Sequence, residues 1–331
     1  MAESTLSLTN VDIAKEVGFL VGYTRDSSAW TNEQKQNLEA CLDSGYRQFL
    51  VPPPINGRVH EWTFMRPITT LTIWPDVAVT AGVTVTQSGY TLTANTATFY
   101  PSMVGRTVVI TGQSTNRTIT AYTNATTVTV SVTQTIASGA TFSIASEGRF
   151  RLADDFGGMD GLVTFSANSN QYCALPLVNE LAIREVEQQN TIAGKPVMCA
   201  VVANNAAGTT GQRFDLAVSP KPDALYTLKF RYNANPGSFA TLSSSTYPLG
   251  GMNHSETLKE SCMAIAEETL MDGGSAIHIN KFRERLAASV EWDVRTMTPE
   301  YLGYNRDSSD WKSKDRPMQS FYVTYNGAIP T

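Results

Sequence analysis

The chain has 331 residues, of which 42% are hydrophobic and 17% are charged, and its formal net charge is -5 at pH 7. One hydrophobic core rarely serves more than about 250 residues, so more than one domain is expected. The acidic balance argues against a protein that grips nucleic-acid backbones, because such proteins carry basic patches. A charged fraction below the average of about 25% is typical of a surface that is partly covered in an assembly.

Two helices are predicted at the beginning of the chain. Thr9 or Asn10 supplies a cap, and apolar residues at helical spacing follow it. Thr31 and Gln34 form a capping-box pattern that opens the second helix, and Pro52 ends it.

A nine-residue segment occurs twice in the chain. Segments 22–30 and 303–311 agree at seven of nine positions. The pattern is typical of a loop in which Asp26 and Asp307 cap nearby backbone and Trp30 anchors the turn. A true half-repeat or a paired contact surface is the alternative.

The middle of the chain is rich in β-branched and aromatic runs separated by turn residues, which predict strands. The runs cover 62–64, 68–74, 149–152, 161–166, 181–186, 197–203, 213–218 and 225–232. Segment 154–161 predicts a turn in preference to a calcium loop or an acid pair. We expect a β-rich central domain that spans 53–76 and 147–251.

Composition changes between residues 77 and 146, where threonine dominates and Arg106 and Arg117 are the only charged residues. Alternating stretches predict a small β-sandwich or Ig-like module. Strands end at Trp74 and resume at Arg149, so the module is expected to be inserted at a hairpin tip, where extra domains are tolerated.

Helical patterns return near the end of the chain. Asn253 and Glu256 give a capping pattern for a third helix, and a fourth helix follows. Amphipathic helices at both ends cannot bury their apolar stripes alone. We therefore expect an α+β fold in which 1–52 and 252–297 form one four-helix assembly domain.

The fourth predicted helix carries a short run of cations. Lys281, Arg283 and Arg285 are predicted to form a basic helix face. A solvated surface without a partner is the plainer interpretation of so short a run.

Patterns for catalysis, metal binding and cofactors fail. His60-Glu61 begins like a zinc-protease helix, but Phe64 stands where the second ligand belongs. The four cysteines lie far apart and are expected to be buried apolar residues. We predict no catalytic residue, metal ligand or cofactor, and we expect that the protein is not an enzyme. A hydrolase would need a clustered acid, base or nucleophile, and the sequence does not display one. The chain also has no signal-peptide pattern and no apolar stretch long enough for a membrane span.

Six segments outside the predicted module carry recognisable sequence motifs: 30–34, 43–52, 60–67, 151–157, 221–232 and 250–256. Together they resemble the head-to-tail connector, or adaptor, proteins in the neck of tailed bacteriophages. The resemblance is one of pattern, and it covers most of the chain outside 77–147.

The resemblance implies a virion protein at the head–tail junction that assembles in the host bacterial cytoplasm. It implies a homo-oligomeric ring, typically dodecameric, between the portal protein and a downstream neck or tail protein. Double-stranded DNA would pass through the ring without specific binding, which suits an acidic subunit. A tail-tube, stopper or baseplate component is the alternative within this class.

The resemblance also makes 298–331 a C-terminal arm that docks on the portal or a neighbour. Aromatic residues suit burial in a partner's groove, and the candidate anchors are Tyr301, Tyr304, Trp311, Phe321 and Tyr322. The alternative is that segment 320–325 forms a strand that packs on the chain's own β domain.

A function of another class is carbohydrate binding by the predicted module. This alternative requires exposed aromatic residues, and the candidates are Tyr90, Tyr100 and Tyr122.

Overall fold

The computed structural model describes residues 4–54, 59–77, 82–166, 174–189, 192–204, 212–239, 246–271 and 276–296. The fold is mixed α and β, with antiparallel sheets. The helices are α1 Asn10–Leu20, α2 Asn32–Leu50, α3 Glu180–Gln189, α4 Met252–Leu270 and α5 Ile277–Thr296. The strands are β1 Ile68–Ile73, β2 Val85–Ala94, β3 Thr107–Ile110, β4 Arg117–Asn124, β5 Thr127–Ala140, β6 Phe142–Ile144, β7 Arg149–Arg151, β8 Phe156–Phe165, β9 Met198–Asn204, β10 Arg213–Ser219 and β11 Tyr226–Ala234.

Both predicted N-terminal helix starts are confirmed. The Thr9 hydroxyl accepts from the backbone of Asp12, whose side chain accepts in return from the Thr9 backbone. Thr31 and Gln34 form the same reciprocal pair at the start of α2. Each pair satisfies backbone N–H groups that have no partner inside the helix.

Helices from both ends of the chain share one hydrophobic core, and we call α1, α2, α4 and α5 the helical domain. Its buried side chains include Ile13, Val17, Leu38, Leu42, Phe49, Leu258, Cys262, Phe282 and Leu286. Trp62 and Phe239, from segments adjoining the β region, complete this core. The fully buried Trp62 donates its indole N–H to the Phe49 carbonyl at 2.9 Å.

The central domain consists of two three-stranded sheets, with strand orders β1-β11-β8 and β7-β10-β9. Helix α3 packs on β9 and β10, where Ile183 contacts Ala200 and Ala217. Segment 181–186 therefore belongs to a helix, and its prediction as a strand is wrong. The side chains of Glu180 and Arg184 pair at 2.8 Å. The two residues are four positions apart, a spacing that brings side chains together on a helix but keeps them apart on a strand.

Two other local predictions are also wrong. Segment 62–64 is not the predicted strand: Thr63–Met65 forms a short 3-10 helix, and the Thr63 backbone N–H donates to the Asp293 carboxylate at 3.1 Å. Helix α4 begins after Gly251, which has no side-chain cap, so the Asn253 and Glu256 pattern does not mark its start. Gly251 has a positive φ of 65°, a conformation that glycine adopts readily.

Strands β2 to β6 form the inserted module, a five-stranded antiparallel sheet in the order β2-β5-β4-β3-β6. Its flanking strands β1 and β7 lie in different sheets, so the predicted insertion at a hairpin tip is wrong. The module's core is continuous with that of the central domain. At the junction Trp74 and Phe150 make an edge-on aromatic contact, with ring centroids 5.6 Å apart.

Candidate functional site

The predicted anchors of the 22–30 loop lie on a short turn between α1 and α2. The buried Trp30 indole donates to the Thr24 carbonyl at 2.7 Å. The Asp26 carboxylate accepts from the Ser28 hydroxyl at 2.7 Å and from the Ser28 backbone N–H at 3.0 Å. These hydrogen bonds hold the pKa of Asp26 below its ordinary value. The geometry describes a rigid turn that fixes the angle between the first two helices.

Helix α4 packs against both α2 and α5. The Ser261 hydroxyl donates to the Gly45 carbonyl of α2 at 2.8 Å. The Thr257 hydroxyl lies 2.6 Å from that of Ser289 on α5. The main helix contacts of α5 and of α2 are both with α4, so the outer face of α5 and the outer faces of α1 and α2 are treated as two flanks of the helical domain.

The first flank is the outer face of α5. It consists of exposed residues that recur at helical spacing: Ile277, Lys281, Glu284, Ala288, Trp292 and Arg295. Ile277 is 49% exposed and Trp292 is 48% exposed. An exposed tryptophan beside small and apolar positions is typical of a contact surface.

The predicted basic helix face is not a single surface. Lys281 and Arg283 are two residues apart, which places their side chains on nearly opposite sides of α5. The Arg285 guanidinium lies 3.1 Å from the Glu256 carboxylate of α4. Arg285 therefore joins α5 to α4, and of the three cations only Lys281 belongs to the outer face of α5.

The second flank lies on α1 and α2. Phe19 is 54% exposed, and the Arg25 guanidinium lies 4.4 Å from its ring centroid. Exposed residues on α2 include the carboxylates Glu33 and Glu39. We call these four residues the α1–α2 flank.

A polar cluster ties α5 to the segment that follows α2. The imidazole Nε2 of His60 lies 2.8 Å from the Asp293 carboxylate, which also accepts from the backbone N–H and the hydroxyl of Thr63. Asp293 is buried, so these partners compensate for its lost hydration. No group of three or more potential ligand side chains suited to a metal ion occurs in the described ranges.

His254 lies against the same cluster, surrounded by aromatic rings. The ring centroids of Trp62, Phe64 and Phe49 lie 5.1, 5.4 and 6.4 Å from that of the imidazole. Burial lowers the pKa of His254, and the nearby Asp293 carboxylate opposes that shift only in part. His254 is thus a neutral packing residue near neutral pH.

The cysteines that the structure describes, Cys41, Cys199 and Cys262, are free and buried. Burial raises the pKa of each thiol, that of Cys199 to about 12. The thiolate is the nucleophilic form, so burial disfavours reactivity at these positions.

The module's tyrosines differ in exposure. Tyr90 is 56% exposed, whereas Tyr100 and Tyr122 are half-buried against the core, which corrects the expectation that all three are exposed. The remaining predicted site residues, Tyr301, Tyr304, Asp307, Trp311, Phe321 and Tyr322, lie outside the described residues.

No helix among the described residues is long and apolar enough to cross a membrane. No family model matches the chain, and no curated protein matches it.

Proposed function

We propose that this chain is a non-enzymatic structural subunit of a tailed-phage neck and that it assembles into a homo-oligomeric ring. The observation that carries the proposal is the pair of flanks on the helical domain. One flank exposes Trp292 and Ile277, and the other exposes Phe19. A ring subunit would cover exposed apolar side chains on two sides of one domain with its two neighbours.

Two different flanks are what a ring requires. A head-to-tail contact joins unlike patches of identical subunits and closes into a ring when the rotation allows it. Charge agrees with this pairing, because the outer face of α5 carries two cations and Glu284, whereas the α1–α2 flank carries two carboxylates and Arg25. The outer face of α5 of one subunit would then contact the α1–α2 flank of the next.

The resemblance to connector proteins sets the proposed location and partners. The ring, typically dodecameric, would lie at the head–tail junction of the virion, with the portal protein on one side and a neck or tail protein on the other. The net charge of -5 favours a channel wall that repels DNA phosphates. The inserted module is proposed to be of the Ig-like or β-sandwich type, in keeping with its five antiparallel strands.

Light scattering and electron microscopy of the purified full chain, with and without the portal protein of the same phage, test the proposal. The expected result is a closed ring, formed by the chain alone or on the portal. A chain that stays monomeric in both samples would overturn it. Tight, salt-sensitive binding of the ring to duplex DNA would contradict the proposed channel role.

A further inference from the structure

A cleft of about 420 Å³ lies between the inserted module and the central domain. This volume falls within the range of about 300 to 1,000 Å³ that is usual for small-ligand sites. Strand β1 and the loop after β7 line one wall, and strand β4 with the turn at Pro101–Met103 lines the other. The buried ring of Phe230 is part of its lining.

Strand β1 presents backbone groups to this cleft. It is the edge strand of its sheet, and its Thr72 carbonyl accepts from the Ser102 hydroxyl of the module at 2.7 Å. Alternate residues of a strand point their N–H and C=O groups to the same edge. The backbone N–H and C=O of Thr70 therefore face the module, as the Thr72 carbonyl does. One donor and one acceptor are thus fixed in the host wall of the cleft.

A positioned carboxylate adds an acceptor to the same wall. Asp154 lines the cleft, and its Oδ1 atom lies 2.7 Å from the Arg151 guanidinium and 3.2 Å from that of Arg213. Both contacts involve one oxygen, and the side chain is 66% exposed, so the Oδ2 atom can accept from a ligand. Because Arg151 also lines the cleft, this wall presents a cation beside the carboxylate, and the hydroxyls of one ligand can accept from the first and donate to the second.

The module wall supplies an aromatic side chain and a hydroxyl. Tyr122 lines the cleft and is half-buried, so its position is fixed by packing. Thr120 lies two residues earlier on the same strand, at an exposed position; its hydroxyl donates to the Thr129 carbonyl at 3.2 Å and can accept from a ligand. A ring beside hydrogen-bonding groups suits a ligand with an apolar face and a polar rim.

We propose that this cleft binds a neutral saccharide of mono- to disaccharide size. A sugar ring has an apolar C–H face, which would pack on Tyr122, and a rim of hydroxyls that donate and accept. The Asp154 carboxylate would accept from neighbouring hydroxyls, and the Thr70 backbone would supply the complementary donor and acceptor. The site involves no residue of either flank, so it stands or falls separately from ring assembly.

Saturation-transfer NMR and calorimetry on the full chain test the site. The probes are N-acetylglucosamine, chitobiose, maltose, lactose and two methyl hexosides, with inorganic phosphate as the charged comparison. At least one saccharide is expected to bind with a Kd on the order of 1 mM. Absence of binding by every saccharide at about 50 times that concentration, or stronger binding of phosphate, would overturn the proposal.

Matched tyrosine variants locate the binding. Tyr122→Ala and Asp154→Asn are each expected to weaken binding by about tenfold, equivalent to about 1.4 kcal/mol. Tyr90→Ala removes an exposed module tyrosine that does not line the cleft, and it should leave the Kd unchanged. Because Asp154 is largely exposed, its asparagine variant keeps the test valid if Tyr122→Ala fails to fold. Unchanged binding in a folded Asp154→Asn variant would overturn the site.

The ligand could be part of a polysaccharide chain or a free sugar, and longer probes distinguish these two sources. A maltotetraose or chitotetraose that binds more tightly than its disaccharide identifies a polysaccharide chain as the occupant. Equal affinities identify a free sugar.

Discussion

The guanidinium of Arg106, on the inserted module, lies 2.9 Å from the carboxylate of Asp215 on β10 of the central domain. Asp215 is buried and is also contacted by the Asn204 amide at 3.2 Å. The module is therefore joined to its host by a buried ion pair as well as by a continuous apolar core.

Replacing Arg106 is expected to destabilise the protein. Arg106→Met keeps the apolar stem but leaves the buried Asp215 carboxylate without its cation, a loss that typically costs about 3 kcal/mol. The control is Glu147→Ala, which removes the other partner of Arg106, at 3.3 Å and 65% exposed. An exposed pair contributes about 0 to 1 kcal/mol. Urea unfolding measures both variants, and equal free-energy changes would contradict the buried-pair argument.

Gly45→Ala is expected to destabilise the helical domain. A Cβ atom at position 45 would lie 2.5 Å from the Cα atom of Cys262, so α2 and α4 would have to separate. Alanine normally favours a helix over glycine by about 1 kcal/mol, but overpacking costs about 1 to 3 kcal/mol and reverses the sign here. Gly158→Ala, where no atom lies within 4 Å of the added Cβ, is the matched control. A rise in melting temperature for Gly45→Ala would show that the helices are less tightly packed.

Stability is expected to fall below pH 6.5 because of His254. Its pKa in the folded protein is below the ordinary value of 6.5, so the unfolded chain binds the proton more readily. Unfolding therefore takes up a proton as pH falls below 6.5, and the free energy of unfolding decreases by at most about 1.4 kcal/mol per pH unit. Above pH 6.5 the imidazole of His254 is neutral in both the folded and the unfolded state, so this loss of stability is absent there.

His254→Phe should remove this part of the pH dependence, because phenylalanine fits an aromatic cage and cannot be protonated. Denaturant unfolding at pH 7.5 and 5.5 of both proteins gives the difference in slope. The variant keeps His60 and His278. Identical slopes would exclude His254 as the source.

Local patterns in the sequence predicted the starts of α1 and α2, because Thr9 and Thr31 cap residues three positions away. The sequence did not reveal that the module lies between strands of two different sheets, since this depends on β1 and β7 pairing with different, distant strands. Arg117 is another case: it is fully buried and donates to the side chains of Gln87 and Gln134 and to the Thr115 carbonyl. Arginine is usually exposed, so a sequence pattern predicts that Arg117 lies on the surface. Its burial depends on side chains that are distant in the chain and near only in the fold.

The cleft could not be predicted from the sequence for the same reason. Thr70, Tyr122 and Asp154 are far apart in the chain and meet only because the module packs on the edge of β1. Sequence reasoning identified Tyr122 as an aromatic candidate but not its partners. The outer face of α5 is easier to recognise from the sequence, since helical spacing alone places Lys281, Ala288 and Trp292 together.

Trp292→Glu is expected to prevent ring formation without unfolding the subunit. Trp292 is 48% exposed, so its replacement should change the unfolding midpoint little. Desolvation of a carboxylate between subunits disfavours the contact by several kcal/mol, on the order of the penalty for burying one ion. Tyr90→Glu places the same charge at a comparably exposed aromatic residue on the module, away from both flanks. Light scattering should give a smaller mass for Trp292→Glu than for the wild type or Tyr90→Glu at equal concentration. A full ring from Trp292→Glu would mean that the outer face of α5 is not the subunit interface.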